Sequence, residues 1–529
     1  MATHRGLTIT DLHVSYGTQP AVQGIDLAVR PGEVTAIVGE SGSGKSTTAL
    51  AAIGLLPAGA RVTSGSIRLD GEELTTLSRR RWRTVRGRRV GFIPQDTNNS
   101  FNPVRTVGSA VEEALSIHRV GTPQQRRRQA LDLLERVGID DPERRFHQYP
   151  HELSGGMRQR ALIAAAVAPR PELLIADEPT SALDVTVQKT ILDLLDEMRA
   201  ELDLGVLLIT HDLAVAGDRA DHVVVMRRGH VRESGLATAV LTDPKDSYSR
   251  QLLADAPSLS TPVRPRTAPP AQEEPLLKVS GLTQRFGEFT AVDGVDLTVQ
   301  RGHTHAIVGE SGSGKTTTGR ALAGLRAPTE GTITLAGQPV RAGERDLRRH
   351  VQLVYQNPYS SLDPRRSIAA SIAEPLSNLT RLSRARRAAK VAEFLELVAL
   401  DPALGSRRPK QLSGGQLQRV AIARAMIVEP ELVILDEAVS ALDVTVQAQI
   451  LELLERLQQE LGLTYVFISH DLAVVRHIAD SVSVMRRGKI IEDGTTAQVF
   501  DHSEHPYTQA LIEAIPGRNY RAGTLNLGL

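Results

Sequence analysis

One set of motifs occurs twice along these 529 residues, in the same order, and that duplication constrains the fold more than any other feature of the chain. GESGSGKS at Gly39 to Ser46 returns as GESGSGKT at Gly309 to Thr316, LSGGM at Leu153 as LSGGQ at Leu412, and ADEPTSALDVTVQ as LDEAVSALDVTVQ. The spacing is 270 residues at the first motif, 261 between Gln95 and Gln356, and 259 from Ser154 and Ser413 through His211 and His470. The copies therefore differ mainly by nine residues lying between the first motif and Gln95, a difference that a surface loop absorbs. Two domains are predicted, 1–254 and 276–529. Between them, 255–275 reads DAPSLSTPVRPRTAPPAQEEP, rich in Pro and without an apolar period, which is the composition of a linker.

Each half alternates strand and helix patterns, so the fold class is α/β, two phosphate-loop NTPase domains in tandem. Glu33–Val38 and His303–Val308 are short apolar runs ending in glycine, each followed by a helix that should begin near the lysine. Leu173–Ala176 and Val206–Ile209 have the unbroken apolarity of buried parallel strands. Thr186–Leu202 carries Val187, Ile191, Leu194, Leu195, Met198 and Leu202 on one helical stripe.

GxxxxGK[ST] between a strand and a helix is a phosphate-binding loop, because its glycines let backbone N–H groups curl round the anion while the helix aims its positive end at the same charge. The candidate phosphate-binding residues are Gly39, Ser41, Gly42, Gly44, Lys45, Ser46 and Thr47, and in the second copy Gly309, Ser311, Gly312, Gly314, Lys315, Thr316 and Thr317. Lys45 and Lys315 would reach the terminal phosphates, and Ser46 and Thr316 would coordinate Mg²⁺. Asp177 and Asp436 end the runs LLIAD and LVILD, which suits a carboxylate presented to the metal. Glu178 and Glu437 follow, and strand alternation would turn them away from the aspartates, as groups that polarise the attacking water. Pairing of either glutamate with a nearby Arg is the alternative. His211 in ITHD and His470 in ISHD end further apolar runs and are read as γ-phosphate contacts, although a lone His there also fits a satisfied core residue.

Composition closes several other routes. Lys plus Arg total 62 against 61 for Asp plus Glu, and the aromatics are 8 Phe, 8 Tyr and 1 Trp, so neither a global basic field nor base-stacking platforms exist for nucleic acid. The runs Arg79–Arg81, Arg86–Arg89 and Arg126–Arg128 are read as solvated faces. Cysteine is absent, which excludes disulfides and thiolate metal sites within the chain. Ala161–Ala176, the best apolar stretch, is broken by Pro169, Arg170, Pro171 and Glu172 and cannot span a bilayer.

Taken together, the phosphate loop, the glutamine, LSGG, the D-E pair with SALD and the later His resemble the ATP-binding cassette (ABC) ATPases, twice over and along nearly the whole chain. The resemblance implies a helical signature subdomain in each copy and head-to-tail pairing of the two copies. One ATP would lie between Gly39–Ser46 and Ser413, Gly414, Gly415 and Gln416; the other would lie between Gly309–Thr316 and Ser154, Gly155, Gly156 and Met157. A hydroxyl and free N–H groups at a helix start suit a γ-phosphate on their own terms. The resemblance further makes Tyr16 and Phe286 adenine-stacking aromatics, with core packing as the alternative, and makes Gln95 and Gln356 Mg²⁺-sensing residues near the membrane subunits. Met157 departs from the usual glutamine, and Ala438 stands where Pro179 stands in the first copy.

YQNPYSSLDPR at Tyr355 and HPYTQALIEAIP at His505 resemble the dipeptide, oligopeptide and nickel importer branch, while the first copy, ending DPKDSYSRQLLADAP, matches it less well. What this implies is a peripheral ATPase at the cytoplasmic face of the membrane, partnered by two transmembrane permease subunits and, through them, by an extracytoplasmic solute-binding protein. Nickel or another small solute is an alternative cargo. An exporter ATPase is opposed by the HPY tail, and a soluble tandem cassette of translation by the short Pro-rich tether.

Overall fold

A computed structural model describes residues 5–96, 100–180, 183–256, 274–440 and 442–517. The linker expected at 255–275 falls largely outside these residues. Contacts divide the chain into two compact units, Met1–Ala256 with Pro516–Leu529, and Pro257–Ile515.

The first unit is built on a six-stranded sheet, in the order His230–Leu236, His222–Arg227, Val34–Val38, Gly205–Ile209, Leu173–Asp177 and Val90–Ile93. Every neighbouring pair is parallel except the first, which is an antiparallel hairpin. VTAIV at Val34–Val38 and LLIAD at Leu173–Asp177 are buried at every position. That is the pattern of strands covered on both faces, and it explains why neither alternates in sequence. A second, antiparallel sheet joins Gln19–Val29, Leu7–Tyr16, Ala60–Leu69 and Glu72–Glu73, and its inward residues Ile9, Leu12, Val14, Ile25 and Ile67 share one core with Ala49, Ile53 and Trp82.

Between the strands Val90–Ile93 and Leu173–Asp177 the chain makes a helical layer of Val107–Ile117, Pro123–Arg136, Pro142–Phe146 and Gly155–Val167. Thr122 caps Pro123–Arg136 in a reciprocal capping box with Gln125, and Val111, Leu115, Leu134, Ile163 and Ala164 bury the faces between these helices.

The second unit repeats this plan. Its sheet runs Val351–Val354, Leu432–Asp436, Thr464–Ser469, Thr304–Val308, Ser481–Arg486 and Lys489–Thr495, with Phe289–Val299, Leu277–Phe286, Glu330–Leu335 and Gln338–Pro339 forming the antiparallel one. Its helical layer includes Ile368–Ile372, Arg384–Leu397 and Gly414–Met426.

Two sequence expectations change. Arg86 and Arg89 are not solvated: Arg86 donates to the Ile53 carbonyl and lies over the Trp82 ring, 4.8 Å from its centroid. Arg89 bridges Asp70, Glu72 and Glu172, tying the antiparallel sheet to the loop before Leu173. Basic runs look alike in sequence whether or not carboxylates from distant segments converge on them.

Candidate nucleotide site

In each unit the candidate residues collect at the carboxyl edge of the parallel strands, beside the strand whose neighbours were laid down last, the position at which open α/β sheets bind ligands. Val34–Val38 delivers the glycine loop, Val90–Ile93 leads to Gln95, Leu173–Asp177 ends in the acidic pair, and Gly205–Ile209 leads to His211.

The loop closes on its own lysine. Lys45 Nζ donates to the carbonyls of Gly39 at 2.7 Å and Glu40 at 3.0 Å; Lys315 does the same to Gly309 at 2.7 Å and Glu310 at 2.8 Å. Glycine is obligatory at the two ends of the turn. A Cβ on Gly39 would stand 2.1 Å from the Met226 carbonyl oxygen, and one on Gly44, at φ 104°, would stand 2.7 Å from that of Ala21. Gly309 and Gly314 meet Met485 and Ala291 in the same way. Helices Lys45–Ala52 and Lys315–Leu322 then begin at the lysine, as the sequence predicts. Ser41, Gly42, Ser311 and Gly312 lie on the exposed outer rim of the loops, whereas the hydroxyls of Ser43 and Ser313 are buried without a hydrogen-bond partner. The motif leaves the positions of Ser43 and Ser313 unspecified, and nothing else in the sequence marks their burial.

Ser46 Oγ donates to Asp177 Oδ1 at 3.1 Å, and Thr316 Oγ1 donates to Asp436 Oδ1 at 3.1 Å. Burial pushes the Asp177 carboxyl up to about 6 and raises Asp436 also, the adjacent glutamate adding to the effect.

Glu178 and Glu437 take different partners from those aspartates, and strand alternation does not set their orientation. The strands end at Asp177 and Asp436, and the glutamates take left-handed backbone conformations with φ 47° and 50°. A left-handed residue other than Gly is costly, and a sequence gives no notice of it. The Glu178 carboxylate accepts from Gln95 Nε2 at 2.8 Å and lies 3.2 Å from His211 Nδ1; in the second unit Gln356 stands 2.6 Å and His470 3.4 Å from Glu437. Burial opposes ionisation of both glutamates, yet the neighbouring histidine and lysine hold them below the usual carboxylate range. In return, the glutamates raise His211 and His470 against the effect of burial. The structure thus joins Gln, Glu and His from three strand ends into one hydrogen-bonded group, twice.

Tyr16 and Phe286 are partly exposed, consistent with a stacking surface and not with core packing. Tyr16 Oη lies 3.3 Å from Thr47 Oγ1, and Phe286 has Arg326 over one face at 4.3 Å from the ring centroid. Ser154 and Ser413 cap the helices Gly155–Val167 and Gly414–Met426, accepting from the N–H of Met157 and Gln416. Gly155 and Gly414 face open space, while a Cβ on Gly156 or Gly415 would collide with Val187 or Val446, so the second glycine of each pair also serves packing.

A family model described as ABC transporter matches residues 22–181 and 292–440, and one described as oligopeptide/dipeptide transporter, C-terminal region, matches 491–526. The chain is 45% identical over 524 residues to the peptidoglycan transport ATP-binding protein YejF of Agrobacterium fabrum, covering 96% of each. It is 40% identical over 603 residues to the oligopeptide transport ATP-binding protein OppD of Mycobacterium tuberculosis, covering 96% of this chain and 98% of that one. It is 42% identical over 556 residues to the glutathione import ATP-binding protein GsiA of Salmonella typhimurium, covering 96% and 89%.

Proposed function

The chain belongs to the ABC transporter family, and from that membership and the duplicated site geometry we propose that it is the ATP-hydrolysing subunit of an importer for short peptides or peptide-containing solutes. The observation that carries this reading is the repeated constellation of phosphate loop, acidic pair, glutamine and histidine at one sheet edge. Oligopeptide, glutathione and peptidoglycan, the solutes named for the relatives, share amide-linked amino acids, and the C-terminal match favours the same class.

In this reading the glycine-loop N–H groups and Lys45 or Lys315 hold the β- and γ-phosphates, and Glu178 or Glu437, kept ionised by its histidine, accepts a proton from the attacking water. Gln95 and Gln356 would hold each glutamate in place, and His211 and His470 would contact a γ-phosphate oxygen. The oxygens of Ser46, Asp177 and Gln95, and of Thr316, Asp436 and Gln356, are the hard donors Mg²⁺ takes, few enough to leave places for phosphate and water. A carboxyl that burial has pushed up to about 6 is also one that a cation would suit. Bound there, the ion would neutralise charge on the β- and γ-phosphates.

The exposed N-termini at Ser154 and Ser413 support head-to-tail pairing, each signature meeting the nucleotide of the other copy. No described helix is long and apolar enough to cross a membrane, so coupling to transport assigns the spanning path to two permease subunits, served outside by a solute-binding protein, with this chain at the cytoplasmic face. Domains at 1–254 and 276–529 joined by 255–275 belong to the same proposal. A strain lacking the chain should fail to accumulate a radiolabelled tripeptide, and should recover with the wild type but not with K45A/K315A. Undiminished uptake without the chain would refute the importer assignment.

A further inference from the structure

The HPY segment is singled out by the sequence yet has no part in the chemistry above, and the structure shows what its tyrosine touches. Tyr507 is the second residue of the helix Pro506–Glu513, and the hydroxyl oxygen accepts the backbone N–H of Glu310, the second residue of the phosphate loop, at 3.3 Å. In the first copy Tyr248, near the start of Ser247–Asp255, accepts the N–H of Glu40 at 3.1 Å. Both tyrosines are buried, and each carries an arginine over its ring at 4.5 Å from the centroid, Arg227 on Tyr248 and Arg486 on Tyr507. Arg227 Nε also lies 3.6 Å from Glu40 Oε1.

The tyrosines are set by helix caps. His505 Nδ1 accepts the N–H of Tyr507 at 3.1 Å, and Asp246 Oδ1 accepts that of Tyr248 at 2.8 Å. His-Pro-Tyr and Asp-Ser-Tyr are therefore two spellings of one device, a cap, a first helical residue and a tyrosine aimed at the loop.

The peptide group that each tyrosine holds is the one that also holds the lysine. The Gly39 carbonyl and the Glu40 N–H belong to a single planar unit and point in opposite directions. Its oxygen accepts from Lys45 Nζ at 2.7 Å, and its N–H donates to Tyr248. The Gly309–Glu310 peptide is held in the same way by Lys315 and Tyr507. Gly39 and Gly309, at φ 147°, leave this plane free to turn unless something fixes it.

We propose that Tyr248 and Tyr507 are positioning residues for the phosphate loops, fixing the peptide plane on which each catalytic-site lysine rests, so that the C-terminal segment of each copy tunes nucleotide affinity. This rests on the nucleotide reading above.

The test replaces the hydroxyls and keeps the rings. Y248F/Y507F in the full chain should raise KM for ATP and the Kd for MgATP about three- to tenfold, the range for losing one hydrogen bond, with kcat within about twofold. Y465F is the control: its hydroxyl is equally buried, donates to the Leu454 carbonyl at 2.9 Å and lies away from the loops, so Y465F should lower Tm without moving KM. If Y248F/Y507F lowers Tm as Y465F does and leaves KM and Kd unchanged, the tyrosines are merely structural and the proposal is overturned. A wild-type chain that binds no MgATP would defeat the nucleotide reading instead, a distinguishable result.

Discussion

The two units carry the same chemistry on different bodies. Lysine-to-carbonyl, hydroxyl-to-aspartate and glutamine-to-glutamate distances agree within 0.2 Å between copies. Away from these contacts the copies diverge. In the second unit His305, at the middle of the central sheet, is buried between Ser481 Oγ at 2.7 Å and Ser483 Oγ at 2.9 Å, and Ser483 in turn donates to Asp493. At that position the first unit has Thr35, whose hydroxyl donates to the Ala28 carbonyl of a strand in the antiparallel sheet. Arg365, Arg408 and Lys410 line a hollow of about 600 Å³ in the second unit with no carboxylate among its lining residues. The matching positions of the first are Val104, Tyr149 and His151, with Tyr149 stacked on His151 at 5.7 Å. A duplicated site tolerates such change around it as long as the strand ends keep their register, because the reacting groups are held by backbone at one sheet edge and not by the surrounding surface.

The equivalence of the two sites breaks most visibly under loss of the glutamates. E178Q and E437Q together should lower ATP turnover by about 10² to 10⁴, and each alone should leave about half of it, equally for the two. Steady-state hydrolysis by the three variants checks this, and markedly unequal single variants would show that the matched distances do not mean matched sites.

His305 gives the next largest difference. Burial pushes its imidazole down to about 4, against a value near 6.5 when unfolded, with only the Asp493 carboxylate opposing. Above pH 6.5 the ring is neutral in both states. Below it the unfolded chain takes up a proton that the folded unit refuses, so stability falls as pH falls, by about 2 kcal/mol at pH 5. Thermal melts of wild type and H305T from pH 7 to 5 should show a shallower decline in the variant; parallel curves would remove His305 from the explanation.

A smaller effect separates the signature helices. Gln416 Oε1 accepts the Ser413 N–H at 3.1 Å and completes a capping box, which Met157 lacks the atoms to make. M157Q should stabilise the nucleotide-free chain, and Q416M destabilise it, each by about 0.5 to 1 kcal/mol in urea unfolding. Smallest is the aromatic pair: Y16F and F286Y should change MgATP affinity less than twofold, since stacking is worth about 0.5 to 1.5 kcal/mol with either ring.

Much of this was legible in the sequence where the determinant is local. The glycine loop, the helix starting at the lysine, the serine-capped signature helix and the apolar strands ending in Asp177 and Asp436 are each set by a few adjacent residues. What stayed hidden depends on distant partners or on backbone conformation. Glu40 and Tyr248 are 208 residues apart, so in sequence DSY is a poor copy of HPY, and only the cap and the hydroxyl bond make the two equivalent. Arg89 looks solvated in sequence because its carboxylates come from two segments, 70–72 and 172, of which the second is 83 residues away. Strand pleating, the basis on which the sequence predicts the orientation of Glu178, does not apply at that residue, which takes a left-handed backbone conformation past the end of the strand.

Calorimetric titration of MgATP into the full-length E178Q/E437Q chain tests the central claim most directly, because slow hydrolysis lets binding be counted. Two nucleotides per chain, falling to one when K45A or K315A is added and to none with both, is the result predicted here. Saturation at one nucleotide, or binding that ignores the lysines, would contradict it.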